Sequence, residues 1–216
     1  MSEPSYLVTT RVAYDTVAPD YAELLKDSLA EIPMDRAMLA VFAELVLGDG
    51  AGPVGDIGCG PGRITKHLDS LGLDVFGIDL SPAMVDVARR AHPGLRFDVG
   101  SLTGLDLADG AMAGVVAWYS IIHTPPKELP AVFAELHRVM RPGGHLLLAV
   151  QDGEDEPVDH EQAYGHAVSF VSYRLSTDRV VDLLGRAGFA MSTRVVREPD
   201  GAYERTKQTY LLARKT

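Results

Sequence analysis

The chain holds a single cysteine, a single tryptophan and no asparagine among its 216 residues. Cys59 alone excludes an internal disulfide and any cysteine-rich metal centre. Without asparagine there is no N-glycosylation acceptor. No stretch approaches the ~18 apolar residues of a membrane span, and the opening residues carry no basic, apolar leader, so a cytoplasmic location with no membrane partner is expected. Positive charge is also scarce. Lys and Arg total 20 against 30 Asp and Glu, for a net charge of −10, and no basic cluster is longer than Arg89-Arg90. That balance opposes the counterion release on which nucleic-acid binding depends, so DNA and RNA are excluded as partners. Repeats, low-complexity tracts and linkers are missing too, and the length suits one well-buried domain.

What is present is concentrated in one stretch. Val54-Gly55-Asp56-Ile57 is an apolar strand carrying a carboxylate, and Gly58-Cys59-Gly60-Pro61-Gly62 follows as a turn with glycines two apart. Glycine tolerates the left-handed angles of such a turn and lets a ligand approach the backbone. Cys59 fits the turn as a small residue rather than as a nucleophile. A helix and a second strand, Val75-Phe76-Gly77-Ile78-Asp79, come next, and Asp79 lies 21 residues after Gly58. That is the distance at which a second strand delivers a carboxylate to a ribose. The dinucleotide pattern G-x-G-x-x-G would need its third glycine at position 63, where Arg63 stands. Asp56 beside the turn would repel a pyrophosphate but suits a ligand with an ammonium group and no phosphate.

With these residues the chain, from about Tyr14 onward, resembles the class I S-adenosylmethionine-dependent methyltransferases of the small-molecule type. The resemblance implies an α/β fold: a doubly wound, mostly parallel seven-stranded sheet with an antiparallel C-terminal strand, Rossmann-like, with helices on both faces. Residues 1–216 are expected to form a single methyltransferase domain. Within it, residues 1–48 are helices covering the cofactor, 49–151 the cofactor-binding core, and 152–216 an acceptor-side segment with a C-terminal hairpin. The implied cofactor is S-adenosyl-L-methionine, and the implied partner is a small-molecule methyl acceptor with an O, N or C nucleophile. Monomer and homodimer both stay open. An NAD(P)-dependent oxidoreductase and a non-catalytic S-adenosylmethionine-binding module remain as alternatives.

The order of elements agrees with alternating strands and helices on a parallel sheet. Helices are expected over 16–31 and 34–47, then strands at 53–57, 73–79, 95–98, 114–119 and 145–150. Ser81-Pro82 opens a helix, with serine as cap and proline at the first position. Arg89, Arg90 and His92 close it where positive charge suits the dipole. A helix over 126–140 stops at Pro142-Gly143-Gly144, and another spans 177–187. Strands at 189–197 and 206–214 flank Pro199-Asp200-Gly201 as a tight antiparallel hairpin. The acidic stretch 151–166 is expected to be a mobile, solvated loop that includes His160, Tyr164 and His166.

Under the resemblance, Asp56 anchors the ammonium end of the cofactor through backbone or water, and the backbone at Gly58, Cys59, Gly60 and Gly62 passes beside its ribose and tail. Asp79 accepts from both ribose hydroxyls, as a carboxylate can take two donors at once. Leu80, Met84 and Leu102 wall the purine, and Ser101 stands where the family often has an acid facing the adenine amine. Tyr14 and Tyr21 precede the core on a segment that folds over the cofactor. Strand four ends Trp118-Tyr119-Ser120, without the acid or amide and paired prolines of exocyclic-amine methyltransferases, which disfavours a nucleobase or glutamine acceptor. Tyr119 is expected beside the cofactor. His123 is the candidate catalytic base, its ordinary pKa lying near neutrality.

Overall fold

A computed structural model of the chain describes residues 3–200 and 204–216. Seven strands form the main sheet: β1 (Val54–Ile57), β2 (Val75–Asp79), β3 (Phe97–Val99), β4 (Met112–Trp118), β5 (Met140–Gln151), β8 (Phe189–Arg197) and β9 (Gln208–Lys215). Between β5 and β8 the chain makes a separate antiparallel pair, β6 (Glu156–Ala163) and β7 (His166–Arg174). The helices are α1 (Ser5–Leu25), α2 (Ser28–Glu31), α3 (Pro33–Gly48), α4 (Arg63–Ser70), α5 (Pro82–Ala91), α6 (Leu129–Val139) and α7 (Thr177–Arg186).

Alternation along the central strands sends side chains into two separate cores. On one face Leu146, Leu148 and Leu211 meet Phe133 and Leu136 of α6 and Leu184 of α7. On the other, Leu147 and Leu212 meet Leu39 and Phe42 of α3 and Leu68 of α4. Strands buried on both faces are the mark of a doubly wound sheet. Their order is β3-β2-β1-β4-β5-β9-β8. Neighbours from β3 through β5 are parallel, and β9 runs antiparallel to both β5 and β8. The order reverses between β1 and β4, which opens a crevice at the carboxyl ends of those strands. The expected fold class is the one observed.

Local signals set most boundaries. Ser81 accepts from the Met84 N–H at 3.1 Å, Pro82 takes the first position of α5, and Arg89 and Arg90 occupy its last turn. Four expectations are corrected. The first helix begins at Ser5, not near 16, and runs through Pro19. Residues 126–128 form a turn before α6, and Pro142-Gly143-Gly144 lies inside β5 instead of ahead of it. The connection from β8 to β9 spans 198–207 and is not a tight hairpin; Gly201 of the expected turn lies outside the described residues.

The fourth correction bears on the site. Residues 151–166 do not form a loop: most of them belong to the β6–β7 hairpin, with His160 opposite Phe170 and Ala163 opposite His166. Its two-residue turn is Tyr164-Gly165, with φ of +51° and +83°, the primed geometry that matches strand twist. Val158 and His160 point inward while Asp159 and Glu161 face solvent, which accounts for an acidic sequence forming a strand.

Candidate cofactor and acceptor cleft

The crevice is roofed by α1 and the β6–β7 hairpin. The Asp15 carboxylate of α1 accepts from Ser81 Oγ at 2.6 Å and from the Ala83 N–H at 3.1 Å, pinning α1 to the start of α5. Asp20 meets His166 Nε2 at 2.7 Å, and Tyr21 packs edge-on against Tyr164 with ring centroids 5.0 Å apart. Beneath this roof lies a cleft of about 800 Å³ of atom-free space, open at its mouth.

Eleven of the fourteen expected site residues line it: Tyr14, Tyr21, Gly58, Gly60, Asp79, Leu80, Met84, Ser101, Leu102, Tyr119 and His123. Asp79 ends β2 with both oxygens engaged, Oδ2 accepting the Gly60 N–H at 2.7 Å and Oδ1 the Ser81 N–H at 2.8 Å. Each oxygen keeps a lone pair for a ligand hydroxyl. Burial lifts its pKa to about 6, and the backbone N–H donors of Ser81 and Gly60 hold it from rising further. Leu80, Met84 and Leu102 give the neighbouring space apolar walls, and Ser101 Oγ lies 2.9 Å from Thr103 Oγ1. The set joins a two-pronged hydrogen-bond acceptor to apolar walls.

Three expected residues do not line the cleft. Gly62 starts α4 at φ +84°, with its α-carbon packed toward Phe97 and His92. The Cys59 thiol is buried against Gly77, and burial raises its pKa. Asp56 is fully buried; its Oδ2 accepts from Thr65 Oγ1 at 2.6 Å, and its Oδ1 has no partner among the described residues. Burial, opposed by that Thr65 hydrogen bond, moves the Asp56 carboxyl up to about 7.

A consequence for stability follows. Between the ordinary carboxyl pKa of about 4 and these raised values, the folded protein binds more protons than the unfolded chain, so stability falls as pH rises through that window. A displacement of about three units at Asp56 corresponds to about 4 kcal/mol as an upper bound. Denaturant titrations of the ligand-free protein at about pH 5 and about pH 8 should register a loss at the higher pH that is largely removed in Asp56→Asn. Equal pH dependence in the two proteins would contradict this account.

The rest of the cleft was harder to foresee. Leu7, Thr10 and Arg11 line it alongside Tyr14. Their spacing is that of one helical face, a signal hidden by Pro19 and the β-branched run that precedes it. Tyr119 adopts φ +54°, unusual for a side chain other than glycine, and its hydroxyl has no partner among the described residues. His123, in a short 3₁₀ turn after β4, contacts Tyr14 Oη through Nε2 at 2.9 Å and the Val171 carbonyl through Nδ1 at 3.5 Å. Burial is the main reason its pKa drops to about 4; the Val171 contact opposes the drop and His160 adds to it. His123 is therefore neutral near pH 7.

Comparison with known proteins agrees with this geometry. A family profile described as "Methyltransferase domain" matches residues 54–144. A malonyl-[acyl-carrier protein] O-methyltransferase of Serratia marcescens is 36% identical over 110 residues, covering 49% of this chain and 42% of that protein. The chain spans about half the length of the curated relatives it matches. Among solved structures, a magnesium protoporphyrin IX methyltransferase from Synechocystis superposes with a TM-score of 0.73 at 17% identity, covering 100% of both chains. A 1,6-didemethyltoxoflavin-N1-methyltransferase from Burkholderia thailandensis gives 0.70 at 20% identity, covering 100% of this chain and 92% of that one. At such identities the structures speak to the fold alone. The matched domain and the sheet order agree: residues 54–144 carry a methyltransferase domain, and the chain has the fold of the class I S-adenosylmethionine-dependent methyltransferases.

Proposed function

We propose that the protein binds S-adenosyl-L-methionine in this cleft and methylates an O, N or C nucleophile of a small organic molecule. The observation that carries the reading is Asp79, whose two oxygens are fixed by Gly60 and Ser81 and which lines a slot walled by Leu80, Met84 and Leu102. Asp79 would take the ribose hydroxyls, those three apolar side chains the purine, and the glycine-turn backbone the amino-acid tail. When bound, the cofactor supplies a sulfonium methyl for in-line displacement, with the carbon–sulfur electron pair returning to sulfur. The protein's own work is alignment and exclusion of water, which can supply about 7–11 kcal/mol. The roof of α1 and the hairpin serves both ends.

The division of labour along the chain belongs to the same reading. Residues 1–48 cover the cofactor, 49–151 bind it, and 152–216 face the acceptor, with the hairpin as the acceptor-side wall. A net charge of −10 supports a small-molecule acceptor over a nucleic acid. A cytoplasmic, monomeric or homodimeric enzyme completes the proposal. None of the described helices is long and apolar enough to cross a membrane.

Calorimetric titration with S-adenosylmethionine, S-adenosylhomocysteine and NAD tests the binding half. Micromolar affinity for the first two and none for NAD is expected, and the reverse would replace this reading with the oxidoreductase one. Tritiated-methyl transfer over an acceptor panel then separates an enzyme from a module that only binds.

A further inference from the structure

Tyr14 lies on α1, the segment expected to fold over the cofactor, and lines the cleft. Its hydroxyl lies 2.9 Å from His123 Nε2, and both residues line the cleft. The other His123 nitrogen, Nδ1, faces the Val171 carbonyl, which can only accept. Nδ1 therefore carries the ring proton, and Nε2 presents its lone pair to the Tyr14 O–H. Around the pair stand Phe170, with ring centroids 5.6 Å from both Tyr14 and His123, and His160 stacked on Phe170 at 4.5 Å. Val171, Phe170 and His160 all come from the β6–β7 hairpin, so the roof itself fixes the tautomer. The outward lone pairs of Tyr14 Oη are then the proton-accepting atoms that the pair turns toward the cleft.

Resting on the methyltransferase reading above, we propose that Tyr14 and His123 act as one proton-accepting pair, and that the acceptor is a neutral molecule presenting a hydroxyl proton to Tyr14 Oη. As the acceptor oxygen gains the methyl group, its bond to hydrogen breaks and the electron pair stays on that oxygen. The released proton bonds to Tyr14 Oη while the proton Tyr14 held passes to His123 Nε2. The products on the protein side are a neutral tyrosine and an imidazolium. A weak base suffices, because a hydroxyl that has just accepted a methyl is strongly acidic. Burial makes the imidazolium a ready donor to water near pH 7, so the pair resets between turnovers. A carbon nucleophile without a mobile proton has no use for this arrangement, which narrows the acceptor class.

Isotope-labelled histidine nitrogens, observed by NMR in the S-adenosylhomocysteine complex, test the pair without turnover. His123 Nε2 should be unprotonated and hydrogen-bonded in the native protein, and its resonance should move toward a free imine nitrogen in Tyr14→Phe. A protonated Nε2, or a resonance indifferent to the substitution, overturns the proposal. Tyr14→Phe should keep S-adenosylhomocysteine affinity within about twofold; a loss of about tenfold or more would return Tyr14 to cofactor binding. In turnover, catechol, phenol and thiophenol serve as probes, the last being largely ionised at mildly alkaline pH. Tyr14→Phe and His123→Ala should each slow the phenolic probes at least about tenfold more than thiophenol. Equal slowing, or turnover of no protic probe by a protein that binds S-adenosylhomocysteine, overturns it. Failure of the native protein to bind S-adenosylhomocysteine at all would instead sink the methyltransferase reading.

Discussion

Asp79→Ala should weaken S-adenosylmethionine binding by about 2–4 kcal/mol, a loss of roughly 30- to 1,000-fold read directly by calorimetry. Two effects add. The charge-assisted hydrogen bonds to the ligand's hydroxyls disappear, worth about 1.5–3 kcal/mol. The Gly60 and Ser81 N–H groups, which Asp79 now satisfies at 2.7 and 2.8 Å, also lose their partner, so the turn that shapes the site is no longer held. Native affinity should itself depend on pH. Ligand hydroxyls donate to the ionised carboxylate, whose pKa without ligand is about 6. Binding therefore releases a proton below that value, and affinity should fall as the solution is acidified through it. An Asp79→Ala protein that binds as tightly as the native one would remove the carboxylate from the proposed ribose contact.

The second large effect concerns folding. Gly58→Ala should destabilise the protein by about 2–5 kcal/mol, measured by denaturant unfolding. Gly58 sits at φ +82°, a left-handed angle that costs an alanine about 1–2 kcal/mol. A methyl there would also come within 2.2 Å of Ser120 Cβ, a collision the backbone must move to relieve, typically at about 1–3 kcal/mol. The Ser120 hydroxyl donates to the Ile57 carbonyl at 2.7 Å, so the neighbour cannot turn aside without leaving that acceptor unpaired. Adding Ser120→Gly should recover the collision part and leave the angular part, and a double-mutant cycle separates them. A singly substituted protein with native stability would mean that the turn has another conformation.

Both predictions concern the part of the molecule most legible in the sequence, and the reason is local. The turn from Gly58 to Gly62, the Ser81-Pro82 helix start and the carboxylate at Asp79 each declare their geometry within a few residues. The roof was illegible because its signals are long-range or weak. The expected helix began near residue 16, yet α1 begins at Ser5, and its Tyr14, Asp15 and Asp20 are tied to partners distant in sequence. The hairpin lacks the Asn-Gly or Asp-Gly pair that usually marks a primed turn, using Tyr164-Gly165 instead, and its acids read as solvated loop. Asp56 is a different case: its motif position is legible, but its carboxylate accepts from Thr65 of α4 and does not line the cleft. Proximity in sequence to a ligand site does not fix which way a side chain turns.

The place of β9 between β5 and β8 carries a consequence for biosynthesis. Both neighbours leave the ribosome before the strand that joins them, so their facing edges stay bare until Gln208–Lys215 emerges. Edge-exposed strands recruit other chains, and late closure by distant residues is slow. Premature termination or a nick ahead of Gln208 would therefore leave a nascent protein with its nucleotide-binding half assembled and a sticky flank exposed.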